Sequence, residues 1–293
     1  MKIIEIIKYN IKRIVEVWIK IMGMVFSILS VVLSFVAWEE IGCRGATDKI
    51  LFFICIILCS VVFAALWICF LKRESIVYKV GRKEICVRYG DILKLGFPRK
   101  CKGKRIVVIP VNTGFDTIVD ETIPNNQRPL ISTETIHGKW ILKYCEKEMG
   151  IDELDKKIEQ TLQNETPVKK LKCEDVRRKL ENYELGTVVP IESGDVIFFL
   201  MALSRFDQNN NAHSSREEVI QCAESMLKYY YEKGQGYDLY LPLIGTGMSG
   251  AGLSPSDSLR LLKALLELNL DIVRGKVNIV ISQEQKGEVS IFD

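Results

Sequence analysis

The chain has 293 residues, 48% hydrophobic and 26% charged, with a formal net charge of +3, enough for one large domain or two ordinary ones. Residues 72–105 carry 12 Lys and Arg against 3 Asp and Glu, whereas residues 106–293 carry 21 against 29, so the basic excess is one local segment and not a nucleic-acid-binding surface. The nine cysteines are scattered, without a C-x-x-C pair or histidines at metal-ligand spacing, which argues for reduced thiols and against a disulfide framework or a metal centre.

Residues 1–20 form a short N-terminal segment carrying Lys2, Lys8, Lys12, Arg13 and Lys20, and residues 21–38 follow without a charge. Trp18 and Trp38 bracket that run at about 30 Å of helix, the separation of the two faces of a bilayer. A second uncharged run covers residues 50–71, about 33 Å as a helix. The apolar region is too long for a signal peptide, and no small-x-small cleavage pattern precedes Glu39 and Glu40. The expectation is a transmembrane hairpin over residues 21–71, with helices at about 21–38 and 50–71. The intervening loop holds only Arg44 and Lys49 while both flanks are basic, so the positive-inside rule puts both termini in the cytoplasm. A basic juxtamembrane linker at residues 72–83 then lies against the anionic leaflet.

Within the first run Gly23, Ser27, Ser30, Ser34 and Ala37 recur every three or four residues, making one face of small side chains. In lipid such a face marks close helix packing. It serves either the second helix of the same hairpin or a subunit contact or water-lined face; the sequence leaves both open.

From residue 84 to 293 strand and helix patterns alternate. Strand-like runs lie at 84–89, 105–111, 187–191, 195–203, 238–244 and 276–282, and helical patterns at 135–148, 152–162, 215–234 and 254–269, with a possible further helix at 173–182. Several strands are apolar almost throughout, as when helices cover both faces of a sheet. The fold class is therefore α/β, one cytoplasmic domain of about 210 residues behind a helical hairpin.

The run "LPLIGTGMSGAGLSPSD" contains Gly245-x-Gly247-x-x-Gly250 after a strand, which on paper is a dinucleotide fingerprint. That fingerprint needs its helix to start at the third glycine and an acid after the next strand. Here Ser254 and Pro255 form an N-cap and first helical position beyond Gly250, and the chain leaves no room for further βαβ units. What remains is a glycine loop at the carboxyl end of a strand. Its main-chain amides can converge on an anion, with hydroxyls from Thr246 and Ser249; equally, the glycines can serve turn geometry alone.

Three other segments, in the same order and spacing, make residues 84–282 resemble a macro domain, an α/β/α fold on a mixed sheet. "ICVRYGDIL" resembles the family's opening strand and Gly-Asp-Ile turn, with Asp91 and Ile92 at the adenine-contacting positions. "VVIPVNTGFD" resembles the strand and loop that contact the distal ribose, with Asn112, Thr113, Phe115 and Asp116 in that loop. "LGTVVPIESGDVIFFLMAL" resembles the strand pair that follows. "LYLPLIGTGMSG" resembles the diphosphate-binding loop, assigning Gly245, Thr246, Gly247, Met248, Ser249 and Gly250 to the ligand. His137 sits near the first loop, as a ligand contact or a helix-cap residue, and Asp116 and Asp120 either orient a ribose or stay solvated. Hydrolytic macro domains carry a second asparagine and a glycine run where this chain has Phe115, so no catalytic residue is assigned and binding without turnover is the reading.

Hairpin, basic joint and "NTGFDT" loop together resemble the membrane-anchored macro effectors of Thoeris antiphage defence. The resemblance implies a two-pass protein of the bacterial inner membrane. Its macro domain would sense an ADP-ribose derivative, histidine-linked in this branch, made from NAD by a TIR-domain partner. Binding would drive homo-oligomer assembly and damage to membrane lipids, with no cofactor and no nucleic acid involved. A membrane-tethered ADP-ribosyl hydrolase, and a channel or scaffold without a nucleotide ligand, are the alternatives.

Overall fold

A computed structural model describes residues 3–100, 103–120, 129–170, 177–247 and 251–293. The chain divides into two compact units, one running through Ser75 and including Lys286–Phe292, the other Ile76–Gln285 with Asp293.

The first unit is a helical hairpin. Helix α1 (Ile3–Leu33) has 31 residues, about 46 Å, so the N-terminal segment is helical too and the helix ends before Trp38. A turn leads to α2 (Ala46–Leu66), whose first turn is fixed by the Gly45 amide donating to Asp48 Oδ2 at 2.8 Å. The winding then widens into a π-turn at Trp67–Leu71. Both helices are long and apolar enough to cross a membrane. They are joined by Trp18, whose indole N–H donates to Ser60 Oγ at 2.9 Å, by Phe26 stacked on Phe53, and by buried Ile14, Ala64 and Ile68. On α1 that joint is a face of large side chains. Gly23, Ser27, Ser30, Ser34 and Ala37 are all exposed, and the Ser27 and Ser34 hydroxyls donate to the carbonyls of Gly23 and Ser30 in their own helix. Of the two readings of the small-residue stripe, packing on the second helix is therefore not the arrangement in the hairpin.

The last residues belong to the same unit. Ser290 Oγ donates to Asn10 Oδ1 at 2.6 Å, and the ring of Phe292 receives both Arg13 and Lys72 at 5.2 Å. Lys286 lies 5.5 Å over the ring of Phe70.

The second unit is built on one mixed sheet. Its strands are β1 (Glu74–Val80), β2 (Lys83–Tyr89), β3 (Arg105–Asn112), β6 (Val188–Ser193), β7 (Val196–Phe206), β8 (Ala212–His213), β9 (Asp238–Pro242) and β10 (Lys276–Ile281); β4 (Lys169–Lys170) and β5 (Glu181–Asn182) pair separately. The order is β1-β2-β10-β9-β3-β7-β6, with β8 beside β7. Strands β2, β10, β9, β3 and β7 run parallel, while β6 and β8 are antiparallel to β7. The short α3 (Ile92–Gly96), α4 (Ile136–Lys147) and α5 (Ile151–Leu162) bury Ile92, Trp140, Tyr144 and Ile158 against Val107, Ile109, Phe198 and Leu200. The alternate residues of β7 meet α6 (Arg216–Lys233), where Phe199 packs edge-on to Tyr229 and Cys222 Sγ lies 3.3 Å from the Ala202 carbonyl. Helix α7 (Pro255–Leu268) packs beside α6.

All six expected strands and four of the expected helices are present. Of the possible helix at 173–182, residues 177–182 are not helical, with Glu181 and Asn182 forming β5, and residues 173–176 lie outside the described residues. The basic stretch after the hairpin contains β1, a charged edge strand of the kind that resists further pairing. The strand order confirms that the glycine pattern is not a dinucleotide fold, because β10 lies between β2 and β9 in place of a doubly wound order.

Candidate functional site

The adjacent parallel strands β2, β10, β9 and β3 end along one edge of the sheet, and three of the motifs singled out in the sequence lie there. Asp91 follows β2, the glycine loop follows β9, and Asn112 closes β3; the turn after β10 falls between the first two. Neighbouring strands are about 4.8 Å apart, so this edge spans about 14 Å. In open α/β sheets the carboxyl ends of the strands are where ligands bind.

Asp91 is exposed and caps α3, with Oδ1 accepting the amides of Leu93 and Lys94 at 2.9 and 3.2 Å. Its second oxygen faces outward, 3.9 Å from Lys94 Nζ. Ile92 is buried beneath it. This corner presents an exposed acceptor next in sequence to a buried apolar side chain.

In the glycine loop, Gly245 has φ +74, and a Cβ there would meet Leu253 Cδ1 at 2.8 Å. Ser258 Oγ donates to the Ile244 carbonyl at 2.7 Å and the Leu253 amide to that of Gly245 at 3.1 Å, which fixes the loop's root. Gly247 is different: it is exposed, and a Cβ would touch nothing within 4 Å. Among the described residues none accepts a hydrogen bond from the amides of Thr246 or Gly247. Met248, Ser249 and Gly250 lie outside the described residues. The start of α7 is occupied by its own chain, since Ser254 Oγ accepts the Asp257 amide at 3.1 Å and donates to Asp257 Oδ2 at 2.7 Å. Those bonds hold the exposed Asp257 carboxyl below its ordinary value, so a negative charge already complements the helix dipole. The helix end is thus satisfied by its own chain, whereas the amides of Thr246 and Gly247 have no acceptor among the described residues.

The first loop is folded in on itself. Asn112 Nδ2 donates to Asp116 Oδ2 at 2.5 Å, and Asn112 Oδ1 accepts the Asp116 amide at 3.2 Å. Thr113 Oγ1 donates to Asn182 Oδ1 at 2.8 Å, its carbonyl accepts the Tyr183 amide, and Phe115 meets the Tyr183 ring edge-on at 6.0 Å. Phe115 itself has φ +50 and is 1% exposed. Asn112, Thr113 and Asp116 are buried too. The chain at 177–183 lies across this loop: Arg177 pairs with Asp120, and Lys179 pairs with Asp155 at 2.6 Å while Thr117 donates to the same carboxylate. Asp116 and Asp120 are therefore bonded within the protein, not solvated. Beside Thr113 a cavity of about 230 Å³ is lined by Asn182, Tyr183, Glu184, Arg205 and Phe206 among others.

His137 lies in the first turn of α4, after the N-cap Thr135, and is buried. Burial, with the charge of Lys179 adding to it, pulls its pKa down to about 3, so the ring is neutral at physiological pH. Burial pushes the Asp116 carboxyl the other way, above its ordinary value. Sequence reasoning missed Lys179, Asn182 and Tyr183, which cover the first loop, and Gln285, whose side-chain amide donates to Thr246 Oγ1 at 3.1 Å. The stretch around 177–183 reads in the sequence as part of a possible helix at 173–182, and that reading hides its role as a cover for the loop.

Residues 85–282 match the family model of Thoeris protein ThsA, macro domain. The chain is 28% identical over 234 residues to Thoeris protein ThsA of Bacillus amyloliquefaciens (strain Y2), covering 78% of this chain and 70% of that protein. Among solved structures it is similar to the Oceanobacillus iheyensis macrodomain: a mutant with ADPR aligns at TM-score 0.42 and 14% identity over 73% of this chain and 93% of the other. A second mutant aligns at TM-score 0.43 and 14% identity, over 74% and 93%. Likeness at that level carries no weight for ligand or chemistry.

Proposed function

The chain belongs to the Thoeris ThsA macro-domain family, and from that premise we propose that it is a membrane effector of antiphage defence gated by a nucleotide signal. The α/β unit binds an ADP-ribose-type molecule, histidine-linked ADP-ribose by family resemblance, released by a TIR-domain partner that consumes NAD. The hairpin sits in the bacterial inner membrane with both termini cytoplasmic, and binding drives copies of the chain to assemble and breach the bilayer.

The observation that carries this reading is the pair of amides at Thr246 and Gly247, which have no acceptor among the described residues, two strands away from the exposed Asp91 carboxylate. The amides fit a diphosphate and the carboxylate fits an adenine amine. The protein is a sensor, not a hydrolase: Phe115 fills the position where hydrolytic macro domains place their second asparagine. With the first loop tied down by Lys179 and Tyr183, distal-ribose contact by Asn112, Thr113, Asp116 or His137 requires that loop to open. A ligand that pays for this opening binds the open state selectively, which is how it shifts the resting equilibrium. The exposed stripe from Gly23 to Ala37 is the face by which neighbouring hairpins meet.

The test is to titrate the full chain, in detergent, with ADP-ribose by calorimetry and to analyse the ligand afterwards. The sensor reading expects saturable binding and intact ligand. Cleaved product favours the hydrolase, and absence of binding removes both.

A further inference from the structure

The glycine loop touches the turn after β10 through one side chain. Gln285 Nε2 donates to Thr246 Oγ1 at 3.1 Å, while Gln285 Oε1 accepts the Ser282 amide at 3.3 Å and the Gln285 amide donates to Ser282 Oγ at 3.3 Å. Both ends of the carboxamide are thereby used, one on the turn and one on the loop. Gln285 is also the last residue of the α/β unit before Lys286–Phe292. That segment is anchored in the hairpin unit by Ser290 on Asn10, by Lys286 over Phe70 and by Phe292 between Arg13 and Lys72.

We infer that Gln285 is the coupling residue that carries occupancy of the glycine loop to the hairpin-bound C-terminal segment. This rests on the glycine loop being the ligand site. A threonine hydroxyl has one proton to donate and two lone pairs. Thr246 Oγ1 accepts from Gln285, which leaves its proton for an anion held by the amides of Thr246 and Gly247. Donating to that anion makes the oxygen a better acceptor, so the bond from Gln285 strengthens when the ligand arrives. The covalent bond from Gln285 to Lys286 then passes the constraint to a segment already fastened to α1 and the π-turn. By reciprocity of coupling, loss of the link also weakens ligand binding, though modestly.

The experiment uses the full chain in lipid nanodiscs with ADP-ribose as probe, reading amide hydrogen exchange over residues 287–292 alongside calorimetry. The unaltered chain is expected to gain about fivefold or more in protection there on saturation. Gln285→Leu is expected to bind ADP-ribose within about fivefold of the unaltered chain while that gain disappears. Gln285→Asn, which keeps the carboxamide on a stem one methylene too short, serves as the second variant and is expected to lose the gain likewise. Protection that persists in both variants overturns the coupling role. Binding by the unaltered chain with no change at 287–292 overturns it as well and leaves the ligand site standing. Absence of ADP-ribose binding by the unaltered chain removes the site and the coupling together.

Discussion

The main-chain N–H of Lys179 donates to Asp116 Oδ1 at 2.7 Å across 63 residues of chain, and this contact helps hold the turn after β3 shut. Burial raises the Asp116 carboxyl above its ordinary value, and the bonds from Lys179 and Asn112 oppose that only in part. The folded chain thus holds this proton more tightly than the unfolded one. Stability from this group is present in acid and is lost as pH climbs from the ordinary carboxylate range through the raised value. Asp116→Asn removes the ionisation, so in thermal melts at a series of pH values the native chain's margin over the variant should narrow as pH rises. A margin independent of pH contradicts the raised carboxyl.

His137 has the opposite linkage. Its pKa is about 3 in the fold against 6.5 as the ordinary value, so between those values the unfolded chain binds the extra proton. Stability falls on acidification through that window, at up to ~1.4 kcal/mol per pH unit. His137→Phe keeps a ring in the site and should flatten this part of the acid limb of a denaturant-melt series. An unaltered limb means the histidine is protonated in the fold.

Gly245 and Gly247 make an internal control for the glycine loop. Alanine at 245 has to adopt φ +74 and bring Cβ to 2.8 Å from Leu253; the conformation alone costs about 1–2 kcal/mol. At 247 the space is open, and alanine should leave stability within about 0.5 kcal/mol. Gly247→Glu puts a carboxylate beside the amides and should weaken ADP-ribose binding at least about tenfold, 1.4 kcal/mol, without lowering the melting temperature. Equal binding by Gly247→Glu and the native chain removes the loop from the site.

In the hairpin, Ser30 is exposed on the small-residue face, whereas the Trp18–Ser60 hydrogen bond lies at the joint between the helices. Ser30→Leu should leave the hairpin folded and reduce signal-triggered leakage from vesicles. Trp18→Phe loses a bond worth about 0.6 kcal/mol on average in a membrane and should loosen the hairpin itself, read as faster exchange of α2 amides. Undiminished leakage with Ser30→Leu removes the stripe's role in assembly.

Regular elements were legible because their periods are local. The six strands and four helices follow from runs such as "RIVVIPV", apolar almost throughout, and "SREEVIQCAESM", with apolar residues at helical spacing. The glycine loop was legible as a loop because Ser254 and Pro255 mark where α7 starts. The state of the first loop was not legible. Asn112 and Asp116 look like exposed polar groups in "NTGFD", and only the pairing of Asp116 with Lys179 and of Thr113 with Asn182 turns them inward. Those partners are more than 60 residues away, in a stretch that reads as a possible helix of its own. The edge strand β1 escaped for a related reason: its glutamate and lysine read as part of a basic juxtamembrane linker, although charge is what protects a sheet edge.

The pairing of Ser290 with Asn10 has a practical side for anyone attaching reporters to this molecule. The Phe292 ring receives both Arg13 and Lys72, so a fluorophore or affinity handle placed directly after Asp293 sits next to the residues that fasten the tail. The exposed Gly81 bend between β1 and β2, with open space around it, is the better place for a label.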